Sequence, residues 1–297
     1  MFDSILGNEK IKELLTNSIK NNKTSHSYLF IGIDGIGKKL IAKEFAKMIL
    51  CNDENNKYCQ KCKSCIEFDT NNNPDFKIIE PDGNSIKIDQ IREFQNRVSE
   101  KPIISNKKVY IINDSDKMTV EAQNCLLKTL EEPPEFVTII LIGSNENAFL
   151  NTIKSRCMIL HFEKIQNQII KKYIKENYDL NLDSCNITDF FQGSIGKAIQ
   201  VKEKKELYEK IEQIINSLEK KDKIEILNMS EIIYKSKEEI SDILEYINVI
   251  LIGLAIQQSK YAECIKIVEE TKRRLNSNAN YDMSIDNMLL GLWEKSN

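Results

Sequence analysis

The stretch "SYLFIGIDGIGKKLIAKEFAKMIL", residues 27–50, constrains the fold more than any other part of the chain. Its opening, "SYLFIGI" (Ser27 to Ile33), is an unbroken apolar run of strand length, which predicts a strand buried on both faces. A turn with Gly32, Gly35 and Gly37 follows. Then "KKLIAKEFAKMIL" sets Leu40, Ile41, Phe45, Met48 and Ile49 at helical spacing. A strand that enters a helix through a glycine loop is a phosphate cradle: backbone N–H groups converge on an anion at the helix N-terminus. Lys38 stands where a lysine reaches the β- and γ-phosphates. The pattern G-x-x-x-x-G-K-[ST] fits at Gly32, Gly37 and Lys38 and fails at Lys39, where a Ser or Thr hydroxyl would ligate Mg²⁺.

The first half continues the alternation. Strands are predicted at "FKIIEP" (Phe76 to Pro81), "KKVYIIND" (Lys107 to Asp114), "FVTIILIGS" and "CMILHF". Helices are predicted at "IDQIREFQNRVSE" and "VEAQNCLLKTLEEPP", the latter closed by Pro133 and Pro134. Strands alternating with helices imply an α/β domain, a parallel sheet with helices on both faces. From about Gln166 the pattern turns helical. "DLNLDSCNITDFFQGSIGKAIQ" carries turn residues. Beyond it, one apolar face runs through Leu207, Ile211, Ile214, Ile215 and Leu218, and another starts at Ile240, Ile243, Leu244 and Ile247. Such stripes fit an ordinary helical core or a collar packed on sister subunits, and periodicity does not separate the two.

At 297 residues the chain has room for two or three domains. Its net charge of −3 excludes a global basic field for holding nucleic acid, so any DNA contact must be local or come from partners. The start "MFDSILGNEK" lacks the apolar core of a secretory signal. The most apolar later run, "YINVILIGLAI" (Tyr246 to Ile256), is too short for a bilayer and reads as a buried helix. A cytoplasmic protein without membrane contact is the expectation.

Eight cysteines in such a chain argue against a disulfide framework. Cys125, Cys157, Cys185 and Cys264 are scattered and read as small, buried, reduced thiols. Cys51, Cys59, Cys62 and Cys65 cluster as C-x₇-C-x₂-C-x₂-C. Four thiolates complete a tetrahedral Zn²⁺ shell with no open position, the arrangement of a structural site. An iron–sulfur cluster or four unrelated thiols are the alternatives, and the spacing differs from the ferredoxin patterns. A structural Zn²⁺ module at about 51–65 is the reading, in an insertion with no hydrophobic core of its own.

ATP hydrolysis needs Mg²⁺ held by the loop hydroxyl and by an Asp at the end of another strand. Lys39 replaces the first. "VYIIND" puts Asn113 in place of the second, and a neutral oxygen is a weaker ligand for a hard dication than a carboxylate. Asp114 follows where a Glu often orients water. Both losses fall on one metal, so the loop (Gly32, Gly35, Gly37, Lys38) is expected to bind nucleotide weakly or not at all.

Taken together, "SHSYLFIGIDGIGKK", the four cysteines, "NPDFKIIEPDGNSIKIDQIR", "KKVYIINDSDKMTVEAQNCLLKTLEEPP", "IKSRC" and "GSIGKA" resemble the AAA+ clamp-loader subunits of bacterial DNA polymerase III. The degenerate loop favours the delta-prime branch over gamma/tau. The resemblance implies an AAA+ nucleotide-binding-like domain at 1–163 carrying the zinc module, a small helical lid at 164–205 and an all-α collar at 206–297. It implies gamma/tau and delta subunits as partners in a ring that loads a sliding clamp onto primed DNA, within the polymerase holoenzyme. It further implies that Arg156, in an SRC motif with Ser155 and Cys157, projects into a neighbour's ATP site; a surface or salt-bridging arginine is the alternative. An always-charged planar guanidinium suits phosphate oxygens. The lid arginine of an ATP-using subunit, in a G-S-x-R run, falls on Gly196 here, beside Lys197, whose point charge is a poor copy. An active gamma/tau-like ATPase is the competing reading. A zinc-dependent nucleic-acid-binding module is a third, disfavoured by the acidic balance.

Overall fold

The computed structural model describes residues 2, 5–53, 58–178, 185–277 and 279–297. The chain divides into two compact units, Met1–Ile165 and Gln166–Asn297.

In the first unit, strands β1 (Ser27–Ile31), β2 (Phe76–Ile79), β3 (Lys108–Ile112), β4 (Val137–Gly143) and β5 (Met158–His161) form one sheet in the order β2-β3-β4-β1-β5. Each pairing between these strands is parallel. Parallel strands need crossover connections, and helices supply them: α1 (Glu9–Lys20), α2 (Lys38–Leu50), α3 (Lys63–Asp69), α4 (Ile88–Val98), α5 (Val120–Glu131) and the single turn α6 (Asn151–Lys154). The apolar runs of the strands serve two cores because successive side chains point to opposite faces. Tyr28, Phe30, Val109, Ile111, Ile140 and Ile142 face α1 and α2. Leu29, Ile31, Tyr110, Ile112, Ile139 and Leu141 face the residues of α4 and α5.

The expected strands and helices all form, each strand shortened by one to three residues where the chain turns into its loop. One residue on the predicted face of α2 is misplaced: Leu40 is exposed, and Ala42 and Ala46 fill the core instead. Small residues on a helix carry little periodic signal, so periodicity alone draws the stripe too wide.

The second unit is helical: α7 (Asn167–Tyr178), α8 (Cys185–Phe191), α9 (Ile195–Glu203), α10 (Lys205–Asn216), α11 (Lys223–Met229), α12 (Glu231–Lys235), α13 (Ile240–Gln257), α14 (Tyr261–Asn276) and α15 (Tyr281–Ser296). Its core holds Phe190 against Tyr208 and Tyr246, with ring centroids 5.0–5.5 Å apart. On α10 the buried position is Tyr208 rather than Leu207. The run Tyr246 to Ile256 lies in α13 and is only half interior, since Ile252 and Ile256 are exposed. Among the described residues no helix is long and apolar enough to cross a membrane. Part of the predicted turn segment, residues 179–184, and the side chain of Cys185 lie outside the described residues.

Candidate functional site

The glycine loop leaves β1 at its C-terminal end, where the sheet presents its loops to one side. Glycine is required at Gly32 by space: a Cβ there would lie 2.6 Å from Ile36 Cδ1 and 2.9 Å from Phe162 Cβ. At Gly35 and Gly37 the requirement is conformational, with φ of 74° and 92° in the left-handed region. Ile36 is buried beneath the loop and fixes its shape.

Lys38 does not project from this cradle. Its ammonium donates to the carbonyls of Gly32 and Ile33 (2.9 Å for the latter) and reaches Asp34 Oδ1 at 3.4 Å. An ammonium has three donors, and these contacts engage them all. The side chain is 6% exposed. Burial holds the Lys38 pKa below its ordinary value, opposed by Asp34 and, at longer range, Asp116 and Asp114. A phosphate would have to displace at least one of these partners.

Lys39 pairs with Glu80, just past β2, at 2.5 Å. Asn113 closes the end of β3, its N–H donating to Ile79 O at 2.9 Å. Asp114 adopts a left-handed conformation (φ 48°) and pairs with Lys117 at 3.2 Å. Asp114 acts on Lys38 at longer range through its charge, and Lys39 puts an ammonium where the Mg²⁺-ligating hydroxyl would stand.

Two groups in this region escaped sequence reading. Asp116 Oδ2 accepts from Ser144 N, Ser144 Oγ and Asn145 N at 3.1, 2.9 and 3.0 Å, which fixes the end of β4. Buried Gln123 of α5 donates to Ala148 O (2.9 Å) and accepts from Leu150 N (2.9 Å), tying α5 to the segment before α6. The one available signal was a glutamine on the apolar face of an amphipathic helix.

Arg156 sits in the turn between α6 and β5. Its Nη2 lies 2.8 Å from Glu131 Oε1, at the end of α5. Nη1 donates to Thr152 O at 2.9 Å and to Ser155 Oγ at 3.3 Å. The guanidinium is one third exposed and its carboxylate partner one half. In the second unit, the Ser194 hydroxyl caps α9 by accepting from Lys197 N at 3.2 Å. Lys197 itself pairs with Glu245 at 2.5 Å and stacks over Phe190, 5.1 Å from its centroid. Its charge is neutralised within its own unit.

The four clustered cysteines converge. Their sulfurs all lie within 4.8 Å of one another. Four sulfurs bound 2.3 Å from one tetrahedral ion sit about 3.8 Å apart. Here Cys51 and Cys59 are separated by 3.5 Å, and Cys59 and Cys65 by 4.0 Å. The Cys62 N–H donates to Cys59 Sγ at 3.3 Å across a tight turn with Gln60 left-handed (φ 57°). Backbone N–H groups of residues 61 and 62 pull the Cys59 pKa down to about 6, toward the thiolate a metal requires. The donor set fits a closed, structural metal site such as zinc. Elsewhere Cys264 is buried as expected, whereas Cys125 and Cys157 are half-buried; these three are free thiols.

The module is better anchored than its sequence suggested. Tyr58 and Phe68 pack partly buried against the sheet core, and Phe68 meets Phe76 at 4.5 Å between centroids. Tyr58 donates to Glu44 of α2 at 2.6 Å, and Lys47 of α2 pairs with Asp69 of α3 at 2.6 Å. Ser64 bonds Ser105 at 2.8 Å and accepts from Asn73 at 2.9 Å. Nearby, the buried carboxylate of Asp75 accepts from the N–H groups of Ile103, Ile104 and Ser105, each at 2.7 Å. Asp75→Ala removes the shared acceptor of three N–H groups, of which those of half-buried Ile104 and buried Ser105 are left stranded, so unfolding in urea should show a loss of about 2–3 kcal/mol or more. A loss below about 1 kcal/mol would mean that water replaces the carboxylate.

Residues 7–166 match the family described as DNA polymerase III, delta subunit. The chain belongs to the DNA polymerase III delta-subunit family. The delta' subunit of Bacillus subtilis is 34% identical over 210 residues, covering 71% of this chain and 64% of that protein. The tau subunit of the same organism is 37% identical over 171 residues, covering 57% of this chain and 30% of that protein. The chain thus spans less than two thirds of the length of these curated relatives. A DNA polymerase III gamma subunit-related protein from Thermotoga maritima superposes with a TM-score of 0.53 at 17% identity, covering 97% of this chain and 99% of that one. That likeness speaks to the fold alone. The delta-prime, clamp-loader resemblance read from the motifs agrees with the family match and with the delta' relative.

Proposed function

We propose that this chain is a delta-prime-type clamp-loader subunit that does not usefully hydrolyse ATP and that supplies Arg156 to a neighbouring subunit's ATP site. The observation that carries this reading is the contrast between its two phosphate-directed cations. Lys38 is wrapped in its own loop, while Arg156 stands partly exposed on a braced turn. The Mg²⁺ site has lost its hydroxyl to Lys39, which pairs with Glu80, and its strand-end carboxylate to Asn113. Loop glycines Gly32, Gly35 and Gly37 answer to packing and backbone conformation, so their retention needs no nucleotide.

On this reading the four cysteines hold Zn²⁺, and the chain is cytoplasmic. The helical part serves as lid (164–205) and collar (206–297) after an AAA+-like domain (1–163). Its partners are gamma/tau and delta subunits, and through them the sliding clamp and primed DNA. Mixing the purified chain with gamma/tau and delta subunits should give a stable complex that loads clamps. Failure to enter that complex would overturn the assignment.

A second reading has a specific observation behind it. Gamma/tau and tau relatives are 33–37% identical to this chain, as similar as the delta' relative. An active gamma/tau-like ATPase would turn over ATP alone and lose that turnover in Lys38→Ala. The loss of both Mg²⁺ positions weighs against it.

A further inference from the structure

The finger reading leaves open what aims the arginine, and the local geometry answers it. A guanidinium on a flexible side chain carries considerable rotamer freedom. Unbraced, it would have to be ordered at each encounter with a neighbour. Here the ends of two helices hold it. Glu131 is the last residue of α5, and Thr152 lies in the single turn α6. Glu131 Oε1 takes Nη2 at 2.8 Å, and Thr152 O with Ser155 Oγ takes Nη1 at 2.9 and 3.3 Å. Of five N–H donors these contacts engage three, which leaves two for a phosphate oxygen.

The place of Glu131 is itself informative. A carboxylate in the last turn of a helix faces the negative end of the helix dipole, which disfavours it. The Arg156 charge offsets that cost. The backbone at Glu131 is well fixed: Leu126 and Leu130 of the same helix are buried in the sheet core, and Pro133 and Pro134 end the helix two residues on. Gln123 bonds the same helix to the segment that leads into the arginine turn. The backbone that carries the carboxylate is therefore fixed, and the carboxylate meets Arg156 from a rigid element.

We propose that Glu131 is the positioning residue of Arg156, holding the guanidinium in the orientation in which it meets a neighbour's phosphates. This rests on the finger reading above. Glu131 touches no substrate and acts through the arginine. Misplacing a catalytic group by about 1 Å can cost 10²-fold in rate. Part of that loss is expected here, because Thr152 O and Ser155 Oγ still hold Nη1.

The test uses the complex reconstituted with gamma/tau and delta, this chain carrying Glu131→Ala, Glu131→Gln or Arg156→Ala. DNA-stimulated ATP turnover is fitted for kcat and KM. Glu131→Ala should lower kcat at the site served by about 10-fold, with KM and assembly unchanged. Glu131→Gln keeps the acceptor oxygen without the charge and should recover to within about threefold of wild type. In the isolated chain, phenylglyoxal should modify Arg156 about two- to fivefold faster in Glu131→Ala, the range an exposed ion pair supports, with other arginines unchanged. An unchanged or raised kcat in Glu131→Ala, with Arg156→Ala impaired, overturns the positioning role and leaves the finger standing. A normal rate in Arg156→Ala overturns both.

Discussion

Arg156→Ala, placed in a complex with gamma/tau and delta, is expected to cut ATP hydrolysis at the neighbouring site by about 10³-fold or more while the complex still assembles. The magnitude follows from the chemistry. Charge spreads over the transferred group in the transition state, and an arginine supplied in trans is worth about 10³–10⁵ there. Assembly should survive because Arg156 does little to hold its own chain together. The Glu131 pair is exposed, and such pairs contribute about 0–1 kcal/mol. Single-turnover hydrolysis resolves the affected site from the others. Arg156→Lys should restore little, since a flexible point charge does not reproduce the planar fork.

Removing the zinc proposed above is the second large effect. Cys59→Ser with Cys62→Ser should abolish bound metal, seen by native mass spectrometry as loss of one zinc mass per chain. Structural zinc modules gain about 10–16 kcal/mol in apparent terms from their ion, so the tight turn from Cys59 to Cys65 should lose its protection from hydrogen exchange. The sheet should not. Tyr58, Phe68, the Lys47–Asp69 pair and the Ser64–Ser105 bond tie the module to a core that stands on its own packing. Loss of protection confined to about residues 59–69 fits this account. Collapse of exchange protection in β1, β3 and β4 would show that the metal holds the whole unit.

Much of the fold was legible because its signals are local. Apolar runs of strand length, the glycine loop and the proline pair at 133–134 each report on a few neighbouring residues, and every predicted element of the first unit forms close to its predicted bounds. The cysteine cluster was legible for the same reason, since three of its four cysteines sit on a seven-residue stretch. What escaped were contacts across the sequence. Glu131 and Arg156 are 25 positions apart and meet only because α5 and the α6 turn end side by side. Asp116 reaches Ser144, and Gln123 reaches Ala148 and Leu150, by the same route. Lys197 read as a candidate stand-in for a lid arginine, and its capture by Glu245, 48 residues on, was invisible. The exposed Leu40 and Ile256 show the converse limit: periodicity marks a face but not its edges.

On the function proposed above, the chain's own loop is idle and its arginine acts on ATP held by another subunit. ATP turnover by the purified chain alone, with saturating Mg²⁺-ATP and primed DNA, tests the first half most directly. The expected result is no turnover above that of Lys38→Ala measured beside it. Turnover that depends on Lys38 would contradict it.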